Sequence, residues 1–273
     1  MKISCCIFLL FLFSSTTYAL KPDSLYINTP GNLGLNFMEQ SIQTSDGYTL
    51  NTWIIFADSS ANKKTTLILA YGDSGNMSYY LNQAAILSQT GYDMVLFDYR
   101  GFGKSSPFEL NPNQLYYNEF ATDLLSVLQW SKMQYPKNKI GVWAFSMGTI
   151  MTTLALQSEP IDFFIGEGFV SDPHAIQKKI LELKSKEILL PSGQESYDQK
   201  VNNLQLPMLL FAGTDDSFTT VEDSKRIAQK RKNRVLVIFK GNHLQGFPAL
   251  TKKFYGDQYI ARMEKFIRKV RDN

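Results

Sequence analysis

Cysteine and histidine are scarce in this chain of 273 residues, which has two of each. The cysteines, Cys5 and Cys6, are adjacent near the amino terminus, so the rest of the chain has no disulfide, thiolate nucleophile or cysteine metal site. The histidines, His174 and His243, do not lie in a cluster with metal-ligand spacing. The sequence therefore indicates neither a metal site nor chemistry based on a thiol.

Charge of one sign and long apolar runs are also lacking. The 28 lysines and arginines nearly balance the 25 aspartates and glutamates, without a block of like charge that would follow a phosphate backbone. Nucleic acid is therefore not an expected partner. Because Walker-type and Gly-x-Gly-x-x-Gly loops are absent from the sequence, no nucleotide cofactor is expected either.

The first 19 residues have the pattern of a secretory signal. Lys2 precedes an apolar run over residues 3–13, which is followed by small polar residues and Ala19, the expected cleavage position. A run of this length is shorter than the roughly 20 residues that span a bilayer. We expect an exported protein, periplasmic or secreted, whose mature chain is residues 20–273; an uncleaved membrane tether is the alternative.

Alternating and continuous apolar runs predict an α/β fold in one domain. Two alternating runs, Met38–Thr44 and Tyr48–Phe56, flank Asp46-Gly47 and predict an antiparallel hairpin. Short apolar runs then alternate with helical patterns, which predicts a mostly parallel sheet with helices on both faces. The predicted strands are Thr66–Tyr71, Met94–Tyr99, Ile140–Phe145, Phe163–Ile165, Met208–Ala212 and Val235–Phe239. The predicted helices are Asn76–Ser88, Gln114–Met133, Met147–Gln157, Val221–Arg231 and Asp257–Val270.

Residues 172–204, between two predicted strands, form an insertion that we call the cap. It contains a basic helical stretch, Ala175–Leu190, whose apolar residues are expected to pack on the core. The same stretch carries Lys178, Lys179, Lys184 and Lys186, so a membrane-surface contact is a less favoured alternative.

Three residue types needed for nucleophilic catalysis each lie just after a predicted strand. Ser146 lies between a predicted strand and a predicted helix, a turn that exposes a serine hydroxyl and requires small residues two positions away. A base must take the serine proton, and His243 follows the last strand. A carboxylate must orient that histidine; Asp215 and Asp216 both follow the strand at Met208–Ala212, and chemistry alone leaves both open.

At this point the chain resembles the small single-domain serine hydrolases of α/β-hydrolase fold related to the bud-emergence proteins. The resemblance rests on five stretches in the same order: residues 71–76 (Tyr-Gly-Asp-Ser-Gly-Asn), 98–105 (Asp-Tyr-Arg-Gly-Phe-Gly-Lys-Ser), 144–148 (Ala-Phe-Ser-Met-Gly), 213–216 (Gly-Thr-Asp-Asp) and 241–243 (Gly-Asn-His). It implies a catalytic triad of Ser146, Asp216 and His243, with Asp216 chosen by its position in Gly-x-x-Asp. It also implies an oxyanion hole formed by the backbone N–H groups of Met147 and Asp73.

The chain departs from the family pattern at three positions. Ala144 replaces a glycine, Tyr71 replaces a histidine and Asp73 replaces an asparagine. An acidic side chain near a developing oxyanion is unfavourable unless it turns away or pairs with a cation. Elsewhere, we expect Arg100 and Lys104 to be structural, and Glu167 and Asp172 to line the site or form its polar rim.

The function implied by these residues is a cofactor-independent serine hydrolase that acts on a small or medium acyl ester or thioester through an acyl-enzyme. The partner expected is therefore a small acyl substrate. The alternatives are a peptidase or amidase of the same fold, or a binding module that retains the fold without catalysis.

Overall fold

The computed structural model describes residues 19–111 and 113–272. The predicted signal over residues 1–19, except for Ala19, lies outside this part of the chain. Within the described ranges, none of the helices combines the length and the apolar character needed to cross a bilayer.

The centre of the fold is an eight-stranded sheet, counted over the described residues. Its strands are β2 (Phe37–Gln43), β3 (Thr49–Ile55), β4 (Thr65–Ala70), β6 (Asp93–Phe97), β7 (Lys139–Phe145), β8 (Phe163–Glu167), β9 (Met208–Gly213) and β10 (Arg234–Phe239). Across the sheet they lie in the order β10-β9-β8-β7-β4-β6-β3-β2. Within the sheet, β3 runs antiparallel to both of its neighbours, β2 and β6, and β2 and β3 form the predicted hairpin at one edge. The predicted mostly parallel sheet is confirmed.

Helices cover both faces of this sheet. Every residue of β4, β6, β8 and β9 is buried, and because neighbouring side chains point to opposite faces, both faces must be covered. The α-helices are α1 (Leu81–Gln89), α2 (Tyr117–Gln134), α3 (Met147–Ala155), α4 (Pro173–Lys184), α5 (Tyr197–Asn203), α6 (Val221–Gln229), α7 (Gly246–Ala249) and α8 (Asp257–Arg271). Short 3-10 turns lie at Gly31–Leu33 and Met77–Tyr80.

The cap differs from its prediction. The helical stretch expected over Ala175–Leu190 is shorter, because α4 begins at Pro173, is capped by the Asp172 side chain and ends at Lys184. Ser185 then adopts a left-handed conformation with φ of 48° and ψ of 38°, which a continuing helix cannot accommodate. Of its apolar residues, Ile188 is buried as expected, whereas Leu183 is exposed.

A two-stranded sheet close to the amino-terminal end of the described chain was not predicted. The strand β1 (Lys21–Pro22) pairs in parallel with β5 (Ser74–Gly75). The Lys21 amide donates to the Asp73 carbonyl at 2.8 Å, and the Asp23 amide donates to the Gly75 carbonyl at 2.9 Å. This pairing holds residues 72–76, the loop expected to supply an oxyanion donor.

The loop at residues 98–105 is structural, as predicted. The Arg100 side chain is buried and forms salt bridges with Asp123 and with Asp46 of the hairpin turn, both at 2.6 Å. A methyl group at Gly103 would lie 1.8 Å from the Asp98 carboxylate, so this turn requires glycine. Lys104, by contrast, is exposed.

Candidate active site

Ser146 occupies the sharp turn between β7 and α3. Its φ of 49° and ψ of −118° are unusual for a residue with a side chain, a strain of order 1–3 kcal/mol that is typical of functional positions. The backbone is fixed by the Ser146 amide, which donates to the Glu167 carbonyl at 2.9 Å. Its hydroxyl makes no capping hydrogen bond to α3, so helix capping does not account for this serine.

The residues two positions before and after Ser146, Ala144 and Gly148, are small for different structural reasons. A methyl group at Gly148 would lie 1.9 Å from the Ala70 carbonyl oxygen, so only glycine fits. Ala144, where the Gly-x-Ser-x-Gly pattern has glycine, is buried beside Ala70 and Gly166 on the neighbouring strands. These small neighbours leave room for the methyl group, which explains why this departure is tolerated.

A continuous chain of hydrogen bonds joins the three residues singled out by the sequence. The Ser146 Oγ lies 2.9 Å from His243 Nε2, and His243 Nδ1 lies 2.7 Å from Asp216 Oδ2. The imidazole thus touches a hydroxyl through one nitrogen and a carboxylate through the other. In this arrangement a histidine can accept the serine proton while the carboxylate fixes its tautomer.

Asp216 is held rigidly for this contact, and Asp215 is not. Asp216 Oδ1 accepts the Phe218 and Thr219 amides at 2.8 and 3.0 Å, and Oδ2 accepts the Thr219 hydroxyl at 2.6 Å. Burial acts to raise the pKa of this carboxyl, but the hydrogen bonds from His243 and Thr219 outweigh it and keep the pKa below its ordinary value. Asp215 is exposed and lies 3.7 Å from Lys240 Nζ.

Close backbone approaches position the loop that carries His243. A methyl group at Gly213 would lie 2.4 Å from the Gly241 carbonyl oxygen, and one at Gly168 would lie 2.9 Å from His243 Cε1. Gly168 also has a φ of 64°, which favours glycine. The chain therefore fits closely around the imidazole on two sides.

A cavity of about 140 Å³ opens onto Ser146 and His243. Its walls are largely apolar and come from the core, α3, the cap and the loop after β9: Leu115, Tyr117, Ile150, Val170, Ile176, Ile180, Ile188 and Phe218. Met147, the first residue of α3, and Asp73 also line it. The N–H groups of the first helical turn have no acceptor within the helix, so Met147 is a suitable oxyanion donor.

The loop containing Asp73 passes directly beside Ser146. A methyl group at Gly72 would lie 3.7 Å from the Ser146 Cβ. Tyr71 is fully buried, and its hydroxyl donates to the Asp98 carboxylate at 3.2 Å. Tyr71 therefore anchors this loop from below and does not face the cavity.

Glu167 is not on the polar rim, contrary to one of the two expectations for it. Its side chain is 1% exposed, and Oε1 accepts the Gly246 amide at 2.6 Å. Burial raises the pKa of Glu167 to about 7, although that hydrogen bond, one from Tyr259 and the charge of His243 act to lower it. Glu167 is the last residue of β8, and its hydrogen bond to the Gly246 amide supports the loop that follows His243.

The buried Glu167 predicts a pH-dependent stability. The folded state keeps this proton up to about pH 7, whereas the unfolded state loses it near pH 4.5. The free energy of unfolding should therefore fall by up to about 3 kcal/mol as the pH rises from 4.5 to 7. Glu167→Gln removes this loss, so its stability relative to wild type should rise between pH 5 and pH 8 in urea denaturation. Glu222→Gln, at an exposed carboxylate, is the control. Parallel profiles for wild type and Glu167→Gln would contradict the assignment.

His174 and Asp172 lie apart from the cavity at Ser146. Asp172 accepts the His174 amide at 2.9 Å and caps α4. It does not contribute to the wall of the cavity at Ser146, so the expectation that Asp172 lines the site is wrong. Among the described residues, no three His, Cys, Asp or Glu side chains are grouped so that they can hold a metal ion.

Sequence reasoning missed Thr219 and β1. The Thr219 hydroxyl contacts Asp216 and lies 3.3 Å from His243 Nδ1. A threonine three residues after the acid was the available signal, but threonine is common in such turns.

Comparisons with known proteins agree with this architecture. The sequence profile of the family described as serine aminopeptidase, S33 matches residues 61–185. The esterase Pf2001 of Pyrococcus furiosus superposes with a TM-score of 0.72 at 22% identity, over 91% of this chain and 99% of that one. The chain has the α/β-hydrolase fold.

Two relatives by sequence extend this comparison. The uncharacterized protein YfhR of Escherichia coli O157:H7 is 26% identical over 239 residues, which is 81% of this chain and 77% of that protein. The lysophosphatidylserine lipase ABHD12 of Mus musculus is 24% identical over 151 residues, 48% of this chain and 36% of that protein. The predicted α/β-hydrolase fold is thereby confirmed, while the narrower grouping with the bud-emergence proteins stays a prediction.

Proposed function

We propose that the protein is a serine hydrolase that cleaves small or medium acyl esters through an acyl-enzyme. The observation that carries this proposal is the hydrogen-bonded chain from Asp216 through His243 to Ser146. The strained backbone of Ser146 supports it, because a residue that only packed or capped a helix would not need that conformation. A binding module would have no need of the three side chains together.

In this mechanism Ser146 Oγ attacks the ester carbonyl while His243 Nε2 accepts the serine proton. The backbone N–H groups of Met147 and Asp73 stabilise the tetrahedral oxyanion. His243 then returns the proton to the leaving alcohol, and Asp216 orients the imidazole and stabilises its positive charge. Water, deprotonated by His243, releases the acyl group in the second half of the reaction.

The small cavity suggests the acyl length. A protein cavity of about 150 Å³ accommodates one benzene-sized molecule, and the cavity at Ser146 is about 140 Å³. We therefore expect kcat/KM for p-nitrophenyl acetate and butyrate to exceed that for p-nitrophenyl laurate by at least tenfold. Preference for acyl chains of 12 or more carbons, with activation by anionic vesicles, would contradict this and assign the cap to a membrane surface.

A peptidase is the second candidate, favoured by the description of the family that matches residues 61–185. The p-nitroanilides of alanine and leucine, assayed beside the esters, distinguish the two activities. Hydrolysis of the anilides at rates comparable to those of the esters would assign the protein to the peptidases.

We also propose that the protein is exported, on the signal pattern of its first 19 residues.

A further inference from the structure

A second cavity, of about 400 Å³, lies beside the cavity at Ser146. The two share several lining residues, among them Asp73, Ile180 and Lys184, so they adjoin one another. Three lysines line the second cavity: Lys21, Lys184 and Lys186. Among its described lining residues, Asp73 is the one carboxylate.

The described residues that line this cavity include three lysines and one carboxylate, which gives it a positive character. Lys186 is only 8% exposed. Burial lowers its pKa, and the charges of Lys21 and Lys184 lower it further, with Asp73 acting in the opposite direction. Lys21 and Lys184 are exposed, so their ammonium groups can attract an anion from solution toward this cavity.

Separate parts of the fold converge to build this cluster. Lys184 ends α4, and Lys186 follows across the left-handed Ser185, so the two lysines flank one tight turn. The segment after the turn is fixed because the Leu115 amide donates to the Leu189 carbonyl at 3.0 Å. Lys21 comes from β1, about 160 residues earlier, whose pairing with β5 fixes its backbone.

The cluster lies close to the reacting groups. Lys184 Nζ is 4.9 Å from the centroid of the Phe218 ring, and that ring is 5.9 Å from the ring of His243. One aromatic ring therefore separates the ammonium group from the imidazole. Because the two cavities adjoin, an ester bound at Ser146 can extend a negatively charged group toward the lysines.

We propose that the second cavity binds a negatively charged group of the ester substrate, a carboxylate or a phosphate, through Lys21, Lys184 and Lys186. This inference rests on the proposed esterase function and specifies its substrate class: a short acyl ester that carries an anion. The apolar cavity takes the uncharged acyl carbons, and the lysine cavity takes the charge. The same lysines also provide the cations beside Asp73 that an acidic side chain near an oxyanion requires.

Matched esters that differ in one charge test this proposal. The carboxylate pair is mono-4-nitrophenyl glutarate and its methyl ester, and the phosphate pair is 1-butyrylglycerol 3-phosphate and 1-butyrylglycerol. We expect kcat/KM for the anionic member to exceed that of the neutral member at least tenfold in one pair, mainly through KM. The pair with the larger ratio identifies the anion. Equal values in both pairs would overturn the inference and leave the esterase function standing.

Variants connect the preference to the lysines. Lys184→Gln combined with Lys186→Gln should reduce the ratio of anionic to neutral kcat/KM at least tenfold, and Lys178→Gln, at an exposed position of α4, should leave it unchanged. An unchanged ratio in the double variant would overturn the proposal. Calorimetric titration with monomethyl glutarate measures binding without turnover. Binding to the wild type that is lost in the double variant supports the site. Equal binding to wild type and double variant, or no binding to the wild type, overturns it.

Discussion

Ester turnover should fall by about four to six orders of magnitude when Ser146 is replaced by alanine. The variant keeps the cavity and the oxyanion donors but has no nucleophile for His243 to activate. His243→Ala should cause a loss of similar size, because an unassisted serine hydroxyl is a poor nucleophile. Since the residues act as a unit, the double variant should be little worse than either single variant. Steady-state kinetics with p-nitrophenyl butyrate measure all three.

The control for this loss is stability. Ser146 Oγ makes no helix-capping bond, so Ser146→Ala should change the free energy of unfolding by less than about 1 kcal/mol. Ser158→Ala, at an exposed serine just after α3, should leave both stability and turnover as in wild type. Wild-type turnover in a folded Ser146→Ala protein would show that another residue is the nucleophile.

Replacing Asp216 with asparagine should lower turnover by about four orders of magnitude, whereas Asp215→Asn should change it only a few-fold. The amide cannot stabilise the imidazolium ion, and its NH₂ group favours the wrong tautomer of His243. The neighbouring Asp215 is exposed, so its substitution leaves the imidazole contact intact. Comparison of kcat for the two variants gives the measurement.

The adjacent pair also provides its own control, because the two substitutions are chemically identical and one position apart. A larger loss in Asp215→Asn would transfer the role to that residue. Full activity in both would require a different acid, and Glu167 is the next candidate, since its buried carboxylate accepts the Gly246 amide just after His243.

Much of the fold could be predicted because its signals are local. Strands such as β4 are apolar throughout, since both faces of the sheet are covered, and the amphipathic patterns of α6 and α8 reflect packing on that sheet. Ser146 and His243 could be singled out because each follows a strand, and parallel strands place their carboxyl ends along one edge.

The rest depends on contacts between distant residues, which periodicity does not record. Only the resemblance chose Asp216 over Asp215, because both follow β9 and the turn after Gly213 decides which one faces His243. The two-residue β1 has no recognisable pattern, and its pairing with β5 joins residues 21 and 74. The end of α4 at Lys184 depends on the backbone of Ser185, a residue type that seldom adopts a left-handed conformation.

The most direct test of the central claim is covalent labelling with a fluorophosphonate, followed by mass spectrometry of the peptides. An activated serine should react within minutes and carry the phosphonyl group on Ser146. Ser146→Ala and His243→Ala should remain unlabelled under the same conditions, while both proteins keep the wild-type circular dichroism spectrum. Absence of labelling in the wild-type protein, or a label on a different serine, would contradict the assignment of Ser146 as the nucleophile.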